Sequence, residues 1–460
     1  MQRRLLLLFA AAYALSIAAC SSGTMPPTAV APALHGSRAA TTRGGVIWMR
    51  RVATFTPAEL SGNQTGGSLG FAESVITALG GAPKCAVRLY AIKYATIGVM
   101  GDPATASAGF FIPAKPCKGP FTLIGYGQGT NVVKAIKITD PSKINVQPQV
   151  LSAIFAAHGY AVAATDYLGL GYSDYSYQPY VVVTAEASAV IDAMRAVRAA
   201  ATTLRVPLSG KVFLTGHSQG GQSALGTQKV IEANDASEFD LIADSPSSGP
   251  YALTKTMLDG IRKPGEDAAI YATYILTAYE KTYQNVYQRA SDVFRYPYAS
   301  YVTNLLPVKT VAEGEALQGK TLPISIRRLL HASFIQTFSM QPDGSQRTDV
   351  RANDLLDGWK PQAPVYFCGG RRDPEVEFKN SILAYRYFKR EGAAVSLLDV
   401  NQYIPSSVPI TEYHDAVLVV CHTLERVAVL DAARGPARTG VWPSSLRGQM
   451  GPFTIPAQLP

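Results

Sequence analysis

Residues 212–225 read VFLTGHSQGGQSAL. A short apolar run meets Gly216-His217-Ser218-Gln219-Gly220, and a row of small residues follows. Read as strand, tight turn and helix, the stretch sets Ser218 on the turn, with its oxygen standing clear at the carboxyl edge of a sheet. Gly216 and Gly220 lie two residues either side of the serine, where the chain segments pass too closely for side chains. Gly221, Ser223 and Ala224 let the helix lie near its strand, and the helix N-terminus turns positive potential toward developing negative charge. A Gly-x-Ser-x-Gly match alone arises by chance. A phosphate-binding or packing turn is the other reading, and the rest of the chain must decide.

The chain has the elements such a turn needs. From about residue 85, short apolar runs alternate with helical patterns. Val87–Tyr94, 108–112, Phe121–Tyr126, 160–164, 212–215 and 241–243 read as strands; 148–157, 184–201 and 219–234 read as helices. Residues 365–368, 395–398 and 416–433 resume as strand, strand and helix. That alternation gives an α/β fold with a mostly parallel central sheet covered by helices on both faces. Between 250 and 350 the pattern breaks into a segment rich in polar and aromatic residues. Tyr271, Tyr274, Tyr279, Tyr283 and Tyr287 recur there as on one helix face. These rings either pack the insertion onto the core or line a pocket under a helical cap. The division is thus a core of 46–249 and 351–460 with a cap insertion at 250–350.

A serine hydroxyl needs a base, and on this turn the acid and then the base follow it in chain order. Of six histidines, His35 and His158 precede the serine. His217 is its neighbour and cannot turn back to it. His331 lies in the insertion, ahead of any suitable acid. His422 falls inside the apolar run AVLVVCHTLERVAVL, a packed helix. His414, in ITEYHDA, is predicted in a loop just before that helix and is the base. The acid should follow the strand PVYFC, in the loop GGRRDPEV. Asp373 sits there, with Pro374 behind it and Val376 opening the next helix. Glu375 and then Asp399 are the other candidates, and a helix cap is the structural role open to Asp373. The acid would accept the second imidazole N–H and stabilise the imidazolium. An acyl-transfer oxyanion needs two N–H donors. Gln219 supplies one, and Thr130, in the glycine-rich loop after FTLIGY, is the candidate for the other.

Composition narrows the class. The 460 residues are 47% hydrophobic and 16% charged, which excludes disorder. The net charge of +9 is scattered without long basic runs, so nucleic acid is not an expected partner. No metal or redox cofactor is implied. Cys85, Cys117, Cys368 and Cys421 are too widely spaced for paired zinc ligands, and order along the chain favours Cys85–Cys117 and Cys368–Cys421 disulfides. The N-terminus opens MQRR and continues LLLLFAAAYALSIAAC, the pattern of a signal peptide over 1–19. Its end, Ile17-Ala18-Ala19-Cys20, resembles the lipobox of bacterial lipoproteins. That resemblance implies acylation of Cys20, a membrane partner through an N-terminal lipid anchor, and a place in the bacterial cell envelope, at the outer membrane or in the periplasm. An ordinary signal peptide, giving a secreted protein, is the other reading. Residues 20–45, rich in Ser, Thr, Pro, Ala and Gly, read as a tether.

Taken with DYLGLGYS at 166–173, these features resemble the α/β-hydrolase family. The set GYGQGT, DYLGLGYS, AEASAVIDAMRAVRAA, GHSQGGQSAL and ADSPSSGPY is more narrowly similar to the secretory lipase group, the one that includes Candida antarctica lipase A and its bacterial relatives. The resemblance runs over roughly 85–435. It implies ester hydrolysis through an acyl-enzyme, a helical cap shaping an acyl pocket, and Ser218, Asp373 and His414 in the triad roles. Its bacterial members tend to carry His-Gly-Thr where this chain has Gln128-Gly129-Thr130, which leaves the second oxyanion donor open. The expected activity is a serine ester hydrolase acting on small-molecule or lipid esters. A serine peptidase, an acyltransferase on the same fold, or a non-catalytic envelope lipoprotein are the alternatives.

Overall fold

The computed structural model describes residues 42–61, 68–141 and 145–432. The expected signal segment, the expected lipidation site Cys20, His35 and nearly all of the expected tether lie outside these residues.

Nine strands form one sheet in the order β1-β2-β3-β5-β4-β6-β7-β8-β9. They are β1 (Val46–Phe55), β2 (Val87–Ile97), β3 (Pro103–Pro113), β4 (Phe121–Gly127), β5 (Tyr160–Thr165), β6 (Leu208–His217), β7 (Asp240–Ser247), β8 (Val365–Gly369) and β9 (Val395–Asp399). From β5 through β4, β6, β7 and β8 to β9 every pairing is parallel. β1, β2 and β3 add an antiparallel wing that joins the rest at β5. The wing begins earlier than the sequence pattern indicated. β1 shows no regular burial alternation, and two register shifts interrupt its pairing. A period-2 test therefore fails on it.

Nine described helices have eight residues or more: α1 (Ser68–Gly80), α2 (Gln147–Ile154), α3 (Val183–Leu204), α4 (Gln219–Val230), α5 (Leu253–Arg262), α6 (Ala268–Tyr283), α7 (Ala332–Met340), α8 (Lys379–Arg390) and α9 (Tyr413–Glu425). The hydrophobic clusters sort them into layers. α1, α2 and α9 pack on one face, where Ile154, Phe155, Val417 and Val420 meet the β4 and β5 side chains Ile124 and Val162. α3 covers the other face with Val190, Met194 and Val197, and α8 extends that cover with Ala384 and Phe388. The central strands are buried on both sides, which is why they read as continuous apolar runs. α5, α6 and α7, with short helical turns, make the insertion after β7. Disulfides join Cys85 to Cys117 and Cys368 to Cys421, as order along the chain favoured. No described helix is long and apolar enough to cross a membrane.

Candidate active site

β6 and α4 meet at Ser218, whose φ of 59° and ψ of −125° lie outside the usual regions for a residue with a side chain. The Ser218 N–H donates to the Ser247 carbonyl at 3.0 Å, holding the turn against the end of β7. Gly127 of β4 is in register with Gly216. A Cβ on Gly220 would collide with the Gly127 carbonyl, and one on Gly216 with the Gly220 carbonyl. The glycines are therefore a steric requirement of the turn. Ser218 is 6% exposed and lines a cavity, so access to it is through that cavity.

The structure brings Asp373 and His414 together across 41 residues. His414 Nδ1 lies 2.8 Å from Asp373 Oδ2 and 2.9 Å from Oδ1, with both side chains buried. His414 Nε2 is buried and makes no hydrogen bond. Burial works against the imidazolium. The negative charges of Asp373 and Glu375 and the Asp373 hydrogen bond outweigh it, and His414 is pushed up from its ordinary value. Asp373 Oδ1 also accepts from the Glu375 and Val376 N–H groups, so its local capping geometry and its imidazole contact coexist. Two local expectations need correction. His414 is the second residue of α9 and not in a preceding loop, because α9 starts at Tyr413. Val376 does not open a helix either: Asp373 ties it into a turn, and α8 begins at Lys379.

The other candidates are engaged elsewhere. Glu375 accepts from the Tyr271 hydroxyl at 2.9 Å. Asp399 pairs with Arg371 and caps Asn401. His422 Nδ1 faces Glu425 Oε1 at 2.9 Å inside the α9 packing layer. His217 Nδ1 faces Ser247 Oγ at 2.8 Å; its ring lies 4.3 Å from that of His414. Burial and the neighbouring imidazoles hold His217 well below the usual range, so it stays neutral beside them.

Opposite the serine, the 127–130 loop is braced by its own side chains. Gln128 Nε2 donates to the Asp166 carbonyl at 3.0 Å, and the Tyr167 hydroxyl donates to the Gln128 carbonyl at 3.1 Å. Gln128 is thus a tether for the loop. Gly129 faces the serine turn: a Cβ on it would meet the His217 carbonyl at 3.5 Å and Ser218 Cβ at 3.9 Å, ordinary contact distances. Thr130, Ser218 and Gln219 line one cavity of about 480 Å³. Its apolar walls include Met257, Ile261 and Leu276 of the cap helices and Leu330, Phe334 and Phe338 in or near α7. Polar groups, Tyr271, Asp267 and Glu375 among them, share the lining.

The cap tyrosines divide between the two roles. Tyr271 lines the cavity. Tyr274 stacks on Tyr180 with centroids 4.4 Å apart, and the Tyr279 hydroxyl donates to the Val181 carbonyl at 3.1 Å. Sequence reasoning passed over Tyr180, whose hydroxyl shares a 2.7 Å hydrogen bond with Thr130 Oγ1. It also passed over Glu186, a buried carboxylate that accepts from Gln219 Nε2. The available signal was two acids, Glu186 and Asp192, among the alanines of AEASAVIDAM, on a stretch read only as helix.

A family model described as secretory lipase matches residues 139–297. Among curated proteins no sequence matches. The crystal structure of the rice cell wall degrading esterase LipA from Xanthomonas oryzae is similar at 34% identity and a TM-score of 0.74, covering 85% of this chain and 99% of its own. A putative hydrolase from Legionella pneumophila matches at 21% identity and a TM-score of 0.69, over 82% of this chain and 96% of its own. Candida antarctica lipase A in its closed state shares the fold at 14% identity, with a TM-score of 0.56 and coverage of 82% and 83%.

Proposed function

Since the chain belongs to the secretory lipase family and is a carboxylic ester hydrolase, we propose that Ser218, His414 and Asp373 are its triad and that hydrolysis passes through an acyl-enzyme. His414 Nε2 takes the Ser218 proton as Oγ attacks the acyl carbon. The carbonyl oxygen becomes an oxyanion that the Gln219 and Thr130 N–H groups receive. His414 returns the proton to the leaving alcohol. A water then attacks the ester on Ser218, giving its proton to His414, and the carboxylic acid leaves as Ser218 is reprotonated. Asp373 stabilises the imidazolium in both halves and fixes the tautomer with Nδ1 protonated.

One observation carries this reading: a buried Asp373–His414 pair whose free Nε2 has no competing partner. The strained turn at Ser218 and the glycine-rich loop across the cavity support it. The apolar cap wall supports an acyl chain as the buried part of the substrate. We also propose export and anchoring through an acylated Cys20. The likeness to a cell wall degrading esterase supports an ester met outside the cytoplasm.

Fluorophosphonate labelling of wild type against Ser218→Ala tests the nucleophile. Wild type should label and Ser218→Ala should not, with kcat on p-nitrophenyl esters falling on the order of a millionfold. Equal labelling of the two proteins would remove Ser218 from the mechanism. Aminoacyl anilides run beside the esters test the peptidase alternative.

A further inference from the structure

Glu186 stands in the first turn of α3 and is 2% exposed. Its Oε1 accepts two hydrogen bonds, from Gln219 Nε2 at 2.6 Å and from the Val181 N–H at 2.9 Å. Both donors occupy demanding places. Gln219 opens α4 directly after Ser218, and its backbone N–H is the proposed first oxyanion donor. Val181 has a φ of 51°, costly for a β-branched residue, and its carbonyl receives the Tyr279 hydroxyl of α6. Its neighbour Tyr180 stacks on Tyr274 and bonds to Thr130. One carboxyl group therefore touches the nucleophile turn and the strained segment on which the cap and the Thr130 loop rest.

Glu186 Oε2 and Gln219 Oε1 are both buried without a hydrogen-bond partner. A carboxyl kept in that state purely as a brace is expensive compared with an apolar side chain. Burial raises Glu186 to about 8, so near neutral pH the unpaired Oε2 carries the proton. The titratable groups that face it are tyrosines: Tyr167 after β5, Tyr180 ahead of α3, and Tyr274 and Tyr279 of α6. Burial raises all four, leaving them neutral. Near neutral pH these groups leave the region behind the proposed oxyanion site uncharged, and ionising Glu186 at higher pH would set a negative charge against the oxyanion.

We propose that Glu186 is a positioning residue for the hydrolysis: it holds Gln219 and Val181 so that the Gln219 N–H and the Thr130 loop keep the geometry an oxyanion requires. The proposal rests on the reading of Ser218 as nucleophile. Glu186→Gln keeps a carbonyl oxygen for both donors, whereas Glu186→Ala removes it. In the full-length protein, Glu186→Ala should lower kcat for p-nitrophenyl butanoate about 30-fold with KM within about twofold, and slow phosphonylation of Ser218 in parallel. Wild type should lose kcat at alkaline pH as Glu186 ionises, whereas Glu186→Gln should stay within about threefold of wild type at neutral pH and should lack that fall. Combining Glu186→Ala with Gln219→Ala should cost no more than the worse single change.

Full kcat in Glu186→Ala with only a lowered Tm would overturn the proposal, as would multiplying effects in the double variant. If Glu186→Ala fails to fold, the alkaline limb decides, and an unchanged limb in Glu186→Gln sinks the proposal. Absence of labelling in wild type would instead defeat the Ser218 reading. Wild-type labelling with unaltered rates in every Glu186 variant would defeat this inference alone.

Discussion

At His414 two opposing effects act on one ring. Burial disfavours the imidazolium, and the adjacent carboxylates favour it more strongly. A base must be neutral to accept the serine proton, so in the proposed mechanism activity should rise as His414 loses its own. A raised His414 pKa moves that rise to higher pH, and kcat/KM should still be climbing above pH 7. Asp373→Asn removes the largest effect that favours the imidazolium. Its residual activity should fall on the order of ten thousandfold, and its acid limb should shift toward lower pH. A pH–rate profile of wild type and variant checks both. An unshifted limb in Asp373→Asn would show that Asp373 does not set the protonation of the base.

At the scale of elements, the Cys368–Cys421 disulfide links the end of β8, which leads into the Asp373 loop, to α9, which carries His414. It spans 53 residues, a loop whose closure is worth about 4 kcal/mol in the chain-entropy account. The double variant Cys368→Ala, Cys421→Ala should lose about 3 to 4 kcal/mol of unfolding free energy in a denaturant titration. A several-fold fall in kcat should accompany it, because the elements holding Asp373 and His414 are no longer tied. That pairing was legible in the sequence, as were the central parallel strands, since buried strands appear as bounded apolar runs. The approach of Asp373 to His414 was reachable through strand order. β1 was not legible, because Arg50 and Arg51 interrupt any alternation on a strand whose register shifts twice. α9 was predicted to begin too late, because ITEYHDA has no apolar period to mark its first turn. Glu186 was beyond sequence reasoning in its role: Gln219 lies 33 residues away, and only the packing of α3 against α4 makes them neighbours.

Over the whole molecule, the segment after β7 packs on the core through its tyrosines. Tyr274 on Tyr180 and Tyr279 on Val181 fasten α6 to the segment ahead of α3. The segment after β7 also lines the Ser218 cavity of about 480 Å³, while a second, polar cavity of about 940 Å³ is lined by residues of that segment alone. α7 runs between the two. Its Phe338 lines the first, Ser333 and Thr337 line the second, and Phe334 lines both. An acyl chain bound to Ser218 and lying along the apolar wall would meet the Phe334 ring at that partition. Each further methylene either finds apolar cover, worth about 0.8 kcal/mol, or is stopped. Phe334→Ala should join the cavities and let longer chains pass. The kcat/KM ratio for dodecanoyl over butanoyl p-nitrophenyl esters should rise about tenfold, with labelling of Ser218 unchanged. Phe334→Trp, which thickens the partition, should move the ratio the other way. If both variants keep the wild-type chain-length profile, the acyl chain runs along another wall of the cavity and α7 does not limit its length.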